Sequence, residues 1–188
     1  MIEIKKHFEK LVDISEKDWE LFSSKLVRRE FSKKSILLRV GQKENYLSFV
    51  EKGIIRFCIP SEFEDLTFGF VFAKNFVSAY DFFLTQKPSM YNLETITETV
   101  LWSISYEDLQ KIYVESEIGN TIGRLASEDL FLKKSKRELS LLTETAEQRY
   151  LNLFSEQPHL LKQIPLKYIS SYIGITPQSL SRIRKRIT

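Results

Sequence analysis

Residues 164–187, IPLKYISSYIGITPQSLSRIRKRI, constrain the chain most, because two short helical patterns meet there at a break. In the first, Leu166, Ile169 and Ile173 recur at helical spacing. Gly174 ends it, since glycine enters the left-handed conformation without a Cβ penalty. Thr176 is a favourable N-cap, and Pro177 suits a first helical position, where a missing N–H costs nothing. In the second pattern Leu180, Ile183 and Ile187 form a stripe for burial, while Gln178, Ser179, Arg182 and Lys185 fall on other faces. Ser170 is small enough for a second helix to cross the first closely. The pattern is a helix-turn-helix whose second helix is basic and polar outside.

Charge sharpens this reading. The chain of 188 residues carries a net +3, too little to demand a nucleic-acid partner. From Thr143 onward, however, seven Lys/Arg face three Asp/Glu, a net +4, and every charged residue after Lys167 is basic. Cys58 is the only cysteine, which excludes an internal disulfide and any cysteine-ligated zinc or iron–sulfur site built by one chain. No metal or cofactor is expected, and a reducing cytoplasm is the simplest setting. The first ten residues are charged and amphipathic, unlike a signal peptide, and the apolar runs are too short to span a bilayer.

Residues 2–26 read as helical, with Ile4, Phe8, Leu11 and Val12 on one face. Ser15 with Asp18 is a capping pattern that opens a second helix burying Trp19, Phe22 and Leu26. From Val27 to Ser105 the period changes. Short runs rich in β-branched and aromatic residues (SILLRV, YLSFV, IIRFCI, LTFGFVF) alternate with turn-forming stretches, as in a β-sandwich, roll or barrel. Residues 73–90 are looser, and YNLETITETVLWSIS reads as two further strands. Ser105 with Asp108 caps a helix over YEDLQKIY. A long helix is predicted from about Glu117 to Leu142, with Ile118, Ile122, Leu125, Leu132 and Leu139 as a heptad-like seam interrupted by Asp129 and Lys136. That seam suits a dimer, or packing within the chain's own domain. Thr145 with Gln148 opens another helix to about Ser155.

The order of small helices, β-roll, long helix and helix-turn-helix, together with LSFVEKGIIRF, AYDFFLTQKPS and the 164–187 stretch, resembles the Crp/Fnr family of bacterial transcription regulators. The resemblance implies an α+β chain: a β-roll of the double-stranded β-helix or jelly-roll kind, a long central dimerisation helix, and a C-terminal helix-turn-helix domain. It divides the chain into a cyclic-nucleotide-binding-like sensor (1–115), a dimerisation helix (116–142) and a DNA-binding domain (143–188). It implies a homodimer on pseudo-palindromic double-stranded DNA, with RNA polymerase and an unknown small-molecule effector as further partners and no membrane. Gln178, Ser179 and Arg182 would read bases; Thr176, Ser181, Arg184, Lys185 and Arg186 would hold phosphates.

Two departures from that family matter. Cyclic-nucleotide-responsive members carry a Gly-Glu-Leu run and an Arg-Ser pair. Here the matching positions are Ser78, Ala79 and Tyr80, then Ser89 and Met90. Without the glutamate and the arginine, ordinary cyclic-AMP binding is not expected, because a buried phosphate needs a paired cation. The chain also ends at Thr188, directly after the recognition helix, so any wing lies before the helix pair, around residues 159–164, or is absent.

Phe63, Phe68, Phe70, Phe72, Phe76, Phe82 and Phe83 crowd one part of the roll. Most are expected in the core. The other reading places some in an apolar effector pocket, with Tyr80, Ser89 and Tyr91 as polar handles. Cys58 reads as a buried small hydrophobe, and His7 and His159 as surface or satisfied residues. A cupin-like enzyme would need clustered metal ligands, yet the roll contains no histidine, and no nucleophile set or phosphate-binding loop is present. The chain is therefore read as a non-enzyme. The alternative is an effector- or protein-binding module whose degenerate helix-turn-helix no longer touches DNA.

Overall fold

A side-chain cap sets where the second helix begins. A computed structural model describes residues 1–116 and 118–187, which divide into two units: Met1–Pro60 with Gly69–Ser127, and Ser61–Phe68 with Glu128–Thr188. In the first unit, α1 (Ile2–Glu9) buries Ile4 and Phe8, one turn apart. Helix α2 (Glu16–Ser23) starts where the Ser15 hydroxyl accepts the Asp18 N–H. The span 2–26 is thus two helices with an irregular link, and Leu11, expected on the buried face, is exposed in that link. Ser105 repeats the device, accepting the Asp108 N–H at the head of α4 (Tyr106–Glu115).

Between these helices lie β1 (Val27–Phe31), β2 (Ile36–Leu38), β3 (Tyr46–Lys52), β4 (Ile54–Ile59), β5 (Leu66–Phe72), β6 (Phe76–Val77), β7 (Asn92–Thr95) and β8 (Thr99–Ser105), with α3 (Tyr80–Thr85) inside the looser stretch. They form two four-stranded sheets, in orders β1-β8-β3-β6 and β2-β7-β4-β5. The chain passes from one sheet to the other at Gly53, whose φ of +110° lies in the left-handed region. A Cβ there would stand 2.4 Å from the Thr99 Oγ1 and 2.7 Å from the Glu98 carbonyl oxygen.

The core of this unit joins Ile4, Phe8 and Phe22 from the first helices to Phe49, Phe83, Ile104, Leu109 and Ile112, with Trp19 and Leu26 packed half-buried against it. Phe8 meets Phe22 edge-on at 4.8 Å, and Phe49 meets Phe76 at 5.2 Å; such pairs add about 0.5–1.5 kcal/mol each beyond their buried area. His7 sits among these rings, 5.3 Å from Phe76. Cys58 is buried, as its strand position implies. Phe63 departs from the expected core: it is 97% exposed, because it lies in the turn that Ser61 closes through the Glu64 N–H and carbonyl rather than in a strand. Polar groups inside the roll are matched across strands. Ser48 and Ser103 share a 2.8 Å hydrogen bond, and Arg56 donates to Glu94 at 2.7 Å.

Glu44 is buried just before β3. Its carboxylate accepts the Tyr46 N–H at 3.0 Å and the Ala79 N–H at 3.2 Å. Burial raises its pKa above the usual carboxylate range, against the lowering pull of the Tyr46, Ala79 and Asn45 backbone N–H groups and of Arg29.

The long helix α5 (Gly119–Thr143) begins in the first unit and continues into the second. Glu117, its expected start, lies outside the described residues. In the second unit a full capping box between Thr145 and Gln148 opens α6 (Ala146–Glu156). Then come α7 (Pro158–Gln163), α8 (Leu166–Tyr172) and α9 (Pro177–Ile187). Helix α7 occupies the stretch considered for a wing. Pro158 stands at its first turn, where the missing N–H is no loss, so this stretch forms a helix rather than a hairpin.

Two outcomes are expected. Gly53→Ala should destabilise the chain by at least about 1–3 kcal/mol, through strain at positive φ and the clash with Thr99, read as a lower denaturation midpoint; an unchanged midpoint would contradict the corner geometry. Because the folded pKa of Glu44 is raised, the native state holds this proton more readily than the unfolded chain does. Its contribution is therefore fully present below the ordinary carboxylate range and is lost as pH rises through the folded value. Melting wild type beside Glu44→Gln from about pH 4 to pH 8 should show the wild type losing ground as pH rises; a constant difference would contradict this.

Candidate functional site

Helix α8 ends at Ile173, and Gly174, at φ +78°, turns the chain. The Gly174 N–H donates to the Ser171 carbonyl at 3.0 Å, and the Ile175 N–H to the Ser170 carbonyl at 2.9 Å. The next carbonyls are taken by two arginines. Arg149 of α6 donates through Nε to the Ile173 carbonyl at 2.8 Å, and Arg137 of α5 donates to the Tyr172 carbonyl. The Arg137 guanidinium also lies over the Tyr172 ring, 3.8 Å from its centre. Orphan carbonyls at a helix end thus receive charged donors. Thr176 then caps α9 by accepting the Ser179 N–H at 3.2 Å, and Pro177 takes the first helical position.

The two helices pack as their pattern requires, with small corrections. Ile169, Ser170 and Ile173 of the first pattern are buried, with Leu180 and Ile183 of the second. Ser170, 0% exposed, turns its hydroxyl to its own helix, donating to the Lys167 carbonyl. Leu166 and Ile187, assigned to the buried stripes, are partly exposed, because each sits at the outer end of its helix. Within this unit the Thr67 N–H also donates to the Ser171 hydroxyl at 2.7 Å.

At roughly 100° per residue, Gln178, Ser181, Arg182 and Lys185 share one stripe of α9 opposite Leu180 and Ile183, and all four are exposed. Ser179 and Arg186 fall on one flank and Arg184 on the other. The Ser179 hydroxyl is 3.0 Å from the Thr176 hydroxyl, and Arg186 forms a 2.8 Å ion pair with Glu147. The geometry therefore gathers Gln178, Arg182, Ser181 and Lys185, and sets Ser179, Arg184, Arg186 and the cap Thr176 around them. Arg137 and Arg149, which hold the turn, were missed by sequence reasoning; their only signal is a cation on a helix that precedes the motif.

The seam residues separate. Ile118 precedes α5, Ile122 packs against the core of the first unit, and Leu125 is half-buried. Leu132 and Leu139 are 66% and 58% exposed, as are Phe131 and Leu142 near them in sequence. The pocket candidates separate too. Ser89 is buried and donates to the Tyr91 carbonyl at 2.7 Å, while the Tyr91 hydroxyl donates to Asp81. Burial and the neighbouring Asp81 raise the Tyr91 phenol. Tyr80 faces elsewhere, with its hydroxyl 3.2 Å from that of Ser127 on α5.

Residues 28–116 match the family model of the cyclic nucleotide-binding domain. No curated protein matches the chain in sequence. Among solved structures the chain is similar to CLP, the c-di-GMP-responsive global regulator of Xanthomonas campestris, at 19% identity over 92% of this chain and 91% of that one, with a TM-score of 0.69. It is similar to a protein of Eubacterium rectale assigned to the Crp/Fnr transcriptional regulators, at 16% identity, 93% and 83% coverage and a TM-score of 0.73. It is also similar to a mutant of CooA from Carboxydothermus hydrogenoformans, at 15% identity, 94% and 85% coverage and a TM-score of 0.70. No helix among the described residues is long and apolar enough to cross a membrane. Residues 28–116 are thus similar to the cyclic nucleotide-binding domain, in a chain with the fold of Crp/Fnr transcriptional regulators.

Proposed function

We propose that the chain is a homodimeric, sequence-specific DNA-binding transcription regulator of the cytoplasm, with a β-roll sensor that does not use cyclic AMP and no catalytic role. The observation that carries this reading is the exposed stripe Gln178–Ser181–Arg182–Lys185 on a helix held by a capped, arginine-clamped turn. Gln178 suits the N6/N7 edge of adenine and Arg182 the O6/N7 edge of guanine, with Ser179 beside them. Lys185, Ser181, Thr176, Arg184 and Arg186 suit phosphates and fix the register. Arg186 would exchange its exposed Glu147 partner for a phosphate, a small cost because exposed ion pairs contribute little.

Leu132 and Leu139, exposed with Phe131 and Leu142, support a dimer through the second half of α5. A two-fold pair of recognition helices about 34 Å apart would then meet successive major grooves. RNA polymerase and a small-molecule effector are the further partners of this reading. The exclusion of cyclic AMP is supported where Ser78, Ala79 and Tyr80 meet β3: the Ala79 N–H already serves the Glu44 carboxylate, and a phosphate placed there would face a buried acid. The neighbouring Ser89–Met90 pair supplies no cation.

One observation favours a second reading, a module that no longer binds DNA. Among the described residues no strand follows Ser105, so no β wing precedes the helix pair.

Arg182→Ala should cost roughly 1–3 kcal/mol on a specific site and relax one base preference. Lys185→Ala should weaken all sequences alike and flatten the salt dependence. Affinity and sequence profile unchanged by Arg182→Ala would remove that residue from base reading. Leu132→Asp with Leu139→Asp should convert a dimer to a monomer in light scattering; a dimer that persists would move the interface elsewhere.

A further inference from the structure

Two loops of the first unit meet in a basic surface with apolar side chains on it. The Gly41 N–H donates to the Ser89 carbonyl at 2.8 Å, and the Ser89 N–H donates to the Gln42 carbonyl at 2.8 Å. Lys43 pairs with Pro88 in an antiparallel bridge. These contacts join two short stretches that carry Arg39, Lys43 and Lys87, all exposed, together with Val40 and Met90, 48% and 74% exposed. Among the described residues none of the three cations has an ion-pair partner. The acids beside these stretches are already used. The Glu44 carboxylate is buried and accepts backbone N–H groups, and Asp81 accepts the Tyr91 hydroxyl. Unpaired cations beside exposed apolar side chains suit an acidic partner with an apolar anchor.

The chain carries that complement itself, in the turn SEFED at residues 61–65 of the second unit. The Ser61 hydroxyl accepts the Glu64 N–H at 3.2 Å and donates to the Glu64 carbonyl at 2.9 Å, which fixes the turn around Phe63. Just beyond it, the Thr67 N–H is held by the Ser171 hydroxyl at 2.7 Å. Phe63 is 97% exposed, so its ring is not docked on its own chain. Glu62 and Glu64, on either side of it, are exposed and have no ion-pair partner among the described residues. Two carboxylates beside the ring oppose a DNA phosphate there and favour a cationic surface.

We propose that the 61–65 turn of one copy docks on the basic loop pair of a second copy. Phe63 packs against Val40 and Met90, while Glu62 and Glu64 meet Lys43, Lys87 and Arg39. Methionine adapts to an inserted ring, and its sulfur favours aromatic contact. An aromatic anchor rimmed by polar contacts is also how an interface concentrates its binding energy. The two surfaces differ, so the contact is heterologous. A copy that gives its turn keeps its own loop pair open for another copy, and assembly continues past two. The contact uses no residue of α5 or α9, so it stands or falls apart from the dimer seam and from DNA reading.

The test is sedimentation velocity of the full chain without DNA, from about 10 µM to about 500 µM, since a contact this small has a Kd of about 0.1 mM. In low salt the weight-average mass of the wild type should keep rising through that range, and the rise should be lost at about 0.5 M salt, where exposed charges are screened. Phe63→Ser, and Lys43→Glu with Lys87→Glu, should each abolish the rise; both change only exposed side chains outside the core. Mixed in equal amounts, these two variants should associate with each other, because one keeps the loop pair and the other keeps the turn. A rise that either variant retains, or variants that stay apart when mixed, would overturn the proposal. A wild-type mass that is constant across the range would overturn it too, and would leave the loop pair to an acidic protein of another kind.

Discussion

The last carbonyls of α8 have no partner in their own helix, and Arg137 and Arg149 supply one to each of Tyr172 and Ile173. Much in the C-terminal unit follows from that pair of contacts. With its end held, α8 gives way to the turn at Gly174, whose positive φ only glycine takes at low cost. Thr176 and Pro177 then restart a helix at once. Once the start of α9 is fixed and Leu180 and Ile183 are buried, helical rotation leaves Gln178, Ser181, Arg182 and Lys185 on the outer side. A reading face needs this kind of indirect support, because long polar side chains discriminate bases only when the backbone beneath them is fixed.

The roll is governed by a different constraint, the placement of charge inside it. Arg56 and Glu94 neutralise each other across β4 and β7. Glu44 accepts instead from backbone N–H groups, those of Tyr46 and Ala79 among them, and burial dominates its ionisation. The Asp81 carboxylate, which accepts from the Tyr91 hydroxyl, adds a further acid nearby. An interior arranged in this way opposes a phosphate at Ala79.

Much of this was legible in the sequence wherever the chemistry is local. Ser15, Ser105 and Thr145 each cap the N–H three residues ahead, so three helix starts could be read directly. The helix-turn-helix was legible for the same reason. What depends on tertiary placement was not. The run VRREF of β1 has three charged residues in a row between Val27 and Phe31, which resembles surface rather than sheet. Pro158 reads as a stop and also as a first helical residue, and only packing chose the second. Ser89, Tyr91 and Tyr80 were grouped as polar handles of one apolar pocket, yet two turn inward to internal partners and the third faces α5. The packing of Tyr113 on Gly123 was invisible, because the two lie on different helices.

The central claim is that α9 reads DNA from a two-fold dimer. The most direct measurement is selection of bound sequences from a randomised double-stranded library by the full chain at low salt. The account predicts an enriched pseudo-palindrome with half-site centres about 10–11 base pairs apart, containing adenine and guanine positions suited to Gln178 and Arg182. A folded dimer that enriches no sequence would contradict it and leave the binding-module reading in its place.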